Sequence, residues 1–446
     1  MLSSITHRVR TLLIGALALL AGLDFGRDVF APSLSDVTHG FPVYYVSARL
    51  IVEGRWSERI YDDDWFGAQV RAMTNGRRSE VYSANPPTTS LLLLPIAWLD
   101  MPAARATWLV VNLVLLIGSL VLLLNTLVRV GLNEPIVVTL SEAKSLSAMG
   151  GMLRSAQHDT GWGYLGRTVL GRPRDFTFGA GMLAFTFAYA PLREDFHLAQ
   201  AYTFLLFLLT LTFWGFVRTR SVATGITLGT ALATKLSGGL LWLLLALRGR
   251  WREIAIGIGV GLGFVLLSLA LTGWAGWAKY FSLLPDHIVG RTWPPVLAFQ
   301  SSPNFFQHLL AGDAAWPIEP IVYAPSLAVL LSAAVSGTAL VLTLRRARRA
   351  NFDIAFATML TLGVILLPFA EEYHYTLLLL PLTVMASRIA RAPIRRLDVI
   401  WLAATLFLLA APLPYASQDG PGWSALLGYP RLYGGWLAWG WLYAQK

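Results

Sequence analysis

The run Ala104-Arg105-Ala106-Thr107-Trp108-Leu109-Val110-Val111-Asn112-Leu113-Val114-Leu115-Leu116-Ile117-Gly118-Ser119-Leu120-Val121-Leu122-Leu123-Leu124-Asn125-Thr126-Leu127-Val128 decides the fold. Between Arg105 and Arg129 it carries no charge, a length that lets a helix cross a hydrocarbon core of about 30 Å. In lipid the backbone must satisfy its own hydrogen bonds, so such a run is a helix. Apolar runs of the same kind recur at 9–30, 88–99 (short), 177–191, 198–217, 222–247, 254–273, 320–344, 353–370, 375–387, 397–415 and 429–443, which makes about twelve membrane segments. The chain has 446 residues, 55% of them apolar and only 13% charged. Its mean hydropathy is +0.57. A soluble domain carries about 25% charged residues. The expected fold is all-α: a polytopic transmembrane helical bundle with helical outer loops, one integral membrane domain over 1–446.

Charge sets the orientation. The net charge of +10 comes from arginine clusters flanking apolar runs, the pattern of cytoplasmic loops rather than of a nucleic-acid surface. The first run, Leu12 to Leu23, follows His7, Arg8 and Arg10 without a small-residue cleavage site, so it reads as an uncleaved helix leaving the cytoplasm. Arg248, Arg250 and Arg252 mark an inner junction, as do Arg345, Arg346, Arg348 and Arg349, and then Arg388, Arg391, Arg395 and Arg396. Three polar elements then share the outer face: 31–86, 274–319 and Glu371-Glu372-Tyr373-His374. Arg218 and Arg220 break the inner rule if every run crosses once; hairpins of half-helices at 88–99 and 222–247, with Lys235 at the second bend, restore it. The chain has no cysteine, which excludes disulfides and thiolate metal sites. Residues 131–175 lack an amphipathic period and read as an inserted loop.

The first outer loop concentrates acids, amides and aromatics. It contains Asp36-Val37-Thr38-His39-Gly40-Phe41-Pro42-Val43-Tyr44-Tyr45, then Tyr61-Asp62-Asp63-Asp64-Trp65-Phe66, then Tyr82-Ser83-Ala84-Asn85-Pro86-Pro87. Short interfacial helices are expected at 41–53 and 62–73. Asp62 to Asp64 suit the N-terminus of the second, where acids meet the helix dipole. Lys235 lies amid about 25 residues with no other charge, a costly place in lipid unless it lines a polar cavity or snorkels to an interface. The second outer loop offers His287, Arg291, Gln300, Asn304 and His308 among Trp274, Trp277, Trp293, Phe299, Phe305 and Phe306, a mixture that suits a sugar and a phosphate or an interfacial helix.

Taken in order, Phe41-Pro42-Val43-Tyr44-Tyr45, Gly54, Tyr61-Asp62, Tyr82 with Pro86-Pro87 and Leu94-Pro95, Ala104 with Trp108, Pro191-Leu192 with Ala199-Gln200, Gly225, Gly229 and Lys235, Gln300-Ser301, and His374-Tyr375 with Leu380-Pro381 resemble glycosyltransferase family 87. These are GT-C class membrane enzymes that use polyprenyl-phosphate sugars. The resemblance spans nearly the whole chain except 131–175. It implies transfer of a hexose, mannose foremost, from a polyprenyl-phosphate carrier to a lipid-linked or cell-envelope acceptor at the outer face of the cell membrane. In such enzymes an aspartate of the first outer loop takes the acceptor proton while the lipid phosphate leaves with inversion. That aspartate stands just before the Phe-x-x-Tyr element, where this chain has Gly40. Asp36 and His39 are the nearest replacements, with Asp62 to Asp64, Glu371 or Glu372 behind them. Donor contacts are expected from Tyr44, Asp62, Gln200, Lys235, Arg291, Gln300, Glu371, Glu372 and His374, with Arg193-Glu194-Asp195 implied by the resemblance alone. Phosphate is a good leaving group, so neither metal nor cofactor is expected; the partners are membrane lipid, donor and acceptor, not nucleic acid. Two other readings remain: a transporter or flippase, and a non-catalytic relative, which the glycine at 40 makes credible.

Overall fold

The computed structural model describes residues 2–82, 85–133, 173–289, 294–313, 318–391, 393, 395–413 and 422–445. The inserted loop expected at 131–175 lies outside these residues except for its two ends. Among the described residues the regular structure is helical, apart from one isolated bridge between Asp313 and Ile318. Four of its helices are long and apolar enough to cross a membrane: Val9–Ser33, Met101–Leu127, Trp251–Asp286 and Pro325–Ala347. They present Leu12, Leu17, Leu20, Leu262, Leu266 and Leu330 to the outside, a surface that only lipid covers comfortably.

The other apolar runs are shorter. The run 88–99 folds as short 3-10 turns, Pro87–Leu91 and Leu94–Ile96, because Pro86, Pro87 and Pro95 supply no backbone donor for a regular helix. The run 222–247 is split into Ser221–Lys235 and Gly239–Leu247 by left-handed residues at Leu236 (φ 51°) and Gly238 (φ 76°). Lys235 is therefore the last residue of a half-helix, at the point where the hairpin alternative puts a bend.

Close helix packing fixes that half-helix. Gly225 and Gly229 lie one turn apart, and a Cβ at Gly225 would stand 2.7 Å from the Glu253 carbonyl oxygen. At Gly229 it would stand 2.9 Å from Gly257 Cα. Without side chains at these points the half-helix lies backbone to backbone on Trp251–Val289, the small-residue packing that membrane helices favour. The short helix Phe41–Val52 forms as expected, but nearly all its residues are buried, so it sits inside the protein rather than on the lipid surface. Asp63–Met73 buries one face through Phe66, Gly67 and Val70. The helix expected to end at 273 continues past a break at Gly273 (φ 76°) to Val289, so much of the second outer loop is helical.

Candidate functional site

A cavity of about 610 Å³ opens where the first outer loop, the broken helix and the 371–374 turn meet. Its polar lining comes from His39, Gly40, Tyr44, Glu80, Asn85, Gln200, Tyr202, Lys235, Ser237, Glu371, Tyr373 and His374, and much of its apolar lining from Leu236, Leu240, Leu241, Met359, Leu360, Val364, Leu366 and Leu367. The polar groups form one chain of contacts. Lys235 Nζ donates to the Tyr44 hydroxyl at 2.6 Å, and that hydroxyl donates to Gln200 Oε1. The ammonium also stands over the rings of Tyr44 and Tyr202, at 4.9 and 5.3 Å from their centres. Tyr202 packs on the His374 ring at 4.3 Å, His374 stacks on Tyr373 at 4.8 Å, and the Tyr373 hydroxyl donates to Glu371 Oε1 at 2.8 Å.

Local capping places these side chains. Thr88 and Thr89 donate their hydroxyls to the carbonyls of Ala233 and Thr234, at 2.5 and 2.8 Å, and so satisfy the open end of the half-helix that carries Lys235. A cation also suits a helix C-terminus. Asp195 accepts from the Tyr202 and Thr203 amides, at 3.1 and 2.9 Å, and thereby caps the helix that presents Tyr202. Arg193, its neighbour, pairs with Asp24 at 2.6 Å.

Two carboxylates face the hollow. Glu80 Oε1 accepts from the Gly40 amide at 2.9 Å and meets His39 Nδ1 at 3.0 Å. Burial pushes its proton affinity up, against the opposing pull of the Gly40 amide and of the His39 and Arg78 charges. Burial likewise raises Glu371, opposed by the Tyr373 hydroxyl and Lys235, while Glu80 itself adds to the rise. The two acids thus sense each other across the site. Burial lowers His374 well below the ordinary imidazole value, and its Nδ1 has no hydrogen-bond partner among the described residues. An orphaned buried nitrogen of this kind marks a place where water or a ligand belongs.

The expected site residues divide cleanly. His39, Tyr44, Gln200, Lys235, Glu371 and His374 line the cavity. Asp36 does not: it lines a separate hollow of about 180 Å³ with Arg77 and Arg105. Asp62 caps Asp63–Met73 by accepting the Trp65 amide at 3.0 Å, the helix-starting role its position suggested. Gln300 is consumed by the fold, donating to the carbonyls of Leu297 and Gly428 at 2.6 and 2.9 Å. Glu372 pairs with the buried Arg431 at 2.6 Å. Asn304 and His308 bond the Tyr429 hydroxyl, at 2.8 and 3.1 Å. Arg291 and Trp293 lie outside the described residues, as does the side chain of His287. Of the second outer loop, Tyr280, Leu284 and Phe299 reach the cavity. Sequence reasoning missed Glu80, which lies in a loop already rich in acids and has no local pattern to single it out.

Fold and cavity together define a helical membrane protein with a chamber suited to a molecule polar at one end and apolar at the other. The family model of glycosyltransferase family 87 matches residues 84–368, and the chain belongs to that family. Gln200 and Lys235 fall inside the matched span, His39, Tyr44 and Glu80 before it, and Glu371 and His374 just after it. No curated protein and no solved structure matches the chain.

Proposed function

We propose that this membrane glycosyltransferase moves a hexose, mannose foremost, from a polyprenyl-phosphate carrier to a lipid-linked or cell-envelope acceptor, with inversion and general-base assistance. The observation that carries the reading is the lining of the cavity. A fixed ammonium, phenols, amides and carboxylates meet a wall drawn from the stretches 236–241 and 359–367, mostly leucine and glycine. Its volume lies within the range of about 300–1,000 Å³ usual for small-ligand sites.

Each part has a task in that reaction. Lys235, with the Tyr44 hydroxyl beside it, takes the departing phosphate, whose growing charge a preorganised cation stabilises most in a dry site. His374 and Gln200 offer hydrogen bonds to sugar hydroxyls, and the rings of Tyr202 and Tyr373 give the sugar a flat surface. The leucine wall takes the first isoprene units. The arginine clusters orient the chain so that the cavity faces the extracytoplasmic side, with the shorter apolar elements completing a bundle of about twelve membrane segments.

Membranes containing the unaltered protein, supplied with radiolabelled polyprenyl-phosphate mannose or glucose, should move label into lipid or glycan acceptors above the level of membranes lacking it. Equal label in both, with every polyprenyl-phosphate hexose tried, contradicts the reading.

A further inference from the structure

An acceptor hydroxyl must give up a proton as its oxygen attacks, yet position 40 offers no side chain to receive it. Nor is there room for one. Gly40 holds φ 91°, and a Cβ there would stand 2.9 Å from Gln200 Cδ and closer still to its nitrogen. That amide is itself anchored by Tyr44. A carboxylate nevertheless sits at this spot. Glu80 arrives from the far end of the same polar loop and binds the Gly40 amide with Oε1, the oxygen that also meets His39. Its side chain is 13% exposed and lines the cavity, whereas that of His39 is 60% exposed.

We propose that Glu80 is the general base of the transfer and that His39 is its positioning residue, an assignment that rests on the transferase reading above. The acceptor O–H proton passes to the Glu80 carboxylate as the acceptor oxygen forms its bond to the anomeric carbon. The bond from that carbon to the phosphate oxygen breaks, and its electron pair leaves with the phosphate. Inversion requires base and leaving group on opposite sides of the reacting carbon. The charges acting on the two cavity acids share His39 but otherwise fit that division: Lys235 acts on Glu371 and Arg78 on Glu80. Glu371 therefore belongs to the phosphate side and Glu80 to the acceptor side. Burial lifts Glu80 toward the range in which a carboxylate is an effective base.

The test uses the full chain in membranes. Glu80→Gln keeps the oxygen that accepts the Gly40 amide, so the loop stays in place while the base is lost. Transfer from labelled polyprenyl-phosphate hexose is expected to fall by about 100-fold or more. Labelling by a photoreactive polyprenyl phosphate should stay unchanged. Glu80→Asp, the second variant, retains a carboxylate and is expected to transfer more than Glu80→Gln. His39→Gln should lower the rate less than Glu80→Gln does and displace the acid limb of the pH profile upward, because the His39 charge pulls Glu80 down. If Glu80→Gln transfers normally, or if it loses photolabelling together with transfer, Glu80 is not the base, although the unaltered protein remains a transferase. An unaltered protein that transfers nothing from any such donor removes the underlying reading and the base with it.

Discussion

Lys235 Nζ lies 2.6 Å from the hydroxyl of Tyr44, a residue 191 positions earlier in the chain. The contact holds the ammonium inside the cavity wall rather than letting it reach for an interface, and Gln200 in turn fixes the phenol. Lys235→Met is expected to cut transfer by roughly 10²–10³ and to weaken inhibition by free polyprenyl phosphate, because the cation is the preorganised partner of the leaving group. Tyr44→Phe keeps the ring beneath the ammonium and loses only the hydroxyl. It should cost roughly tenfold or somewhat more, the equivalent of about 1.4 kcal/mol or above, because both the bond from Lys235 and the bond to Gln200 are lost. Competition by polyprenyl phosphate separates the two variants.

Gly40 is expected to tolerate nothing larger. Its φ of 91° lies in the left-handed region, and the space beside it belongs to Gln200 and to the Leu198 carbonyl oxygen, 3.3 Å from a built Cβ. Gly40→Ala should cost about 1–3 kcal/mol of stability. It should also reduce transfer, because the amide it displaces is the one that holds Glu80. Thermal unfolding in detergent measures the first effect; equal midpoints for variant and parent would show that the loop yields without strain.

How much of this was legible beforehand follows from where each signal resides. The helical membrane class could be read from uncharged stretches such as that between Arg105 and Arg129. The break at Lys235 could be read from a charge stranded in an apolar run. The form of 88–99 could not, because its prolines act together with a tertiary contact, Thr88 and Thr89 on the carbonyls of the broken helix. Nor could Glu80 be told from Glu53, Glu58 or Asp62, since its distinction is the Gly40 amide, 40 residues away. Asp36, nearer in sequence, is carried by the same turn into the hollow beside Arg105. Proximity along the chain proved a poor guide to proximity around the cavity.

Glu372 and Arg431 test the division between scaffold and site. Arg431 is 1% exposed and donates to Glu372 through Nε and Nη2, at 3.0 and 2.6 Å. Removing the acid strands a buried guanidinium, which costs about 3–5 kcal/mol. Glu372→Ala should therefore lower the unfolding midpoint and the yield of protein in membranes, while rate per folded molecule and affinity for donor stay near those of the parent. Glu371→Gln, one residue earlier, should do the reverse, with little change in unfolding and a marked change in donor affinity. Identical behaviour of the two variants would mean that the neighbours do not serve different ends.

The pH response carries the sharpest sign. Burial raises Glu80 above its ordinary value of 4.5, and a base works as the carboxylate, so transfer should fall on acidification along a limb displaced upward from that of a free glutamate. Stability runs the other way. The folded chain holds this proton more tightly than the unfolded chain does, so the buried charge begins to cost stability as pH rises past the unfolded value. The cost is complete above the folded one. Activity and unfolding midpoint should thus move in opposite directions as pH crosses the acid limb. Glu80→Gln removes the buried charge and should unfold at or above the parent's midpoint near neutral pH, with a flatter pH dependence, the trade between stability and function common at reactive sites. A lower midpoint for Glu80→Gln at neutral pH would mean that the charged carboxylate, through Gly40 and His39, holds the loop together rather than burdening it.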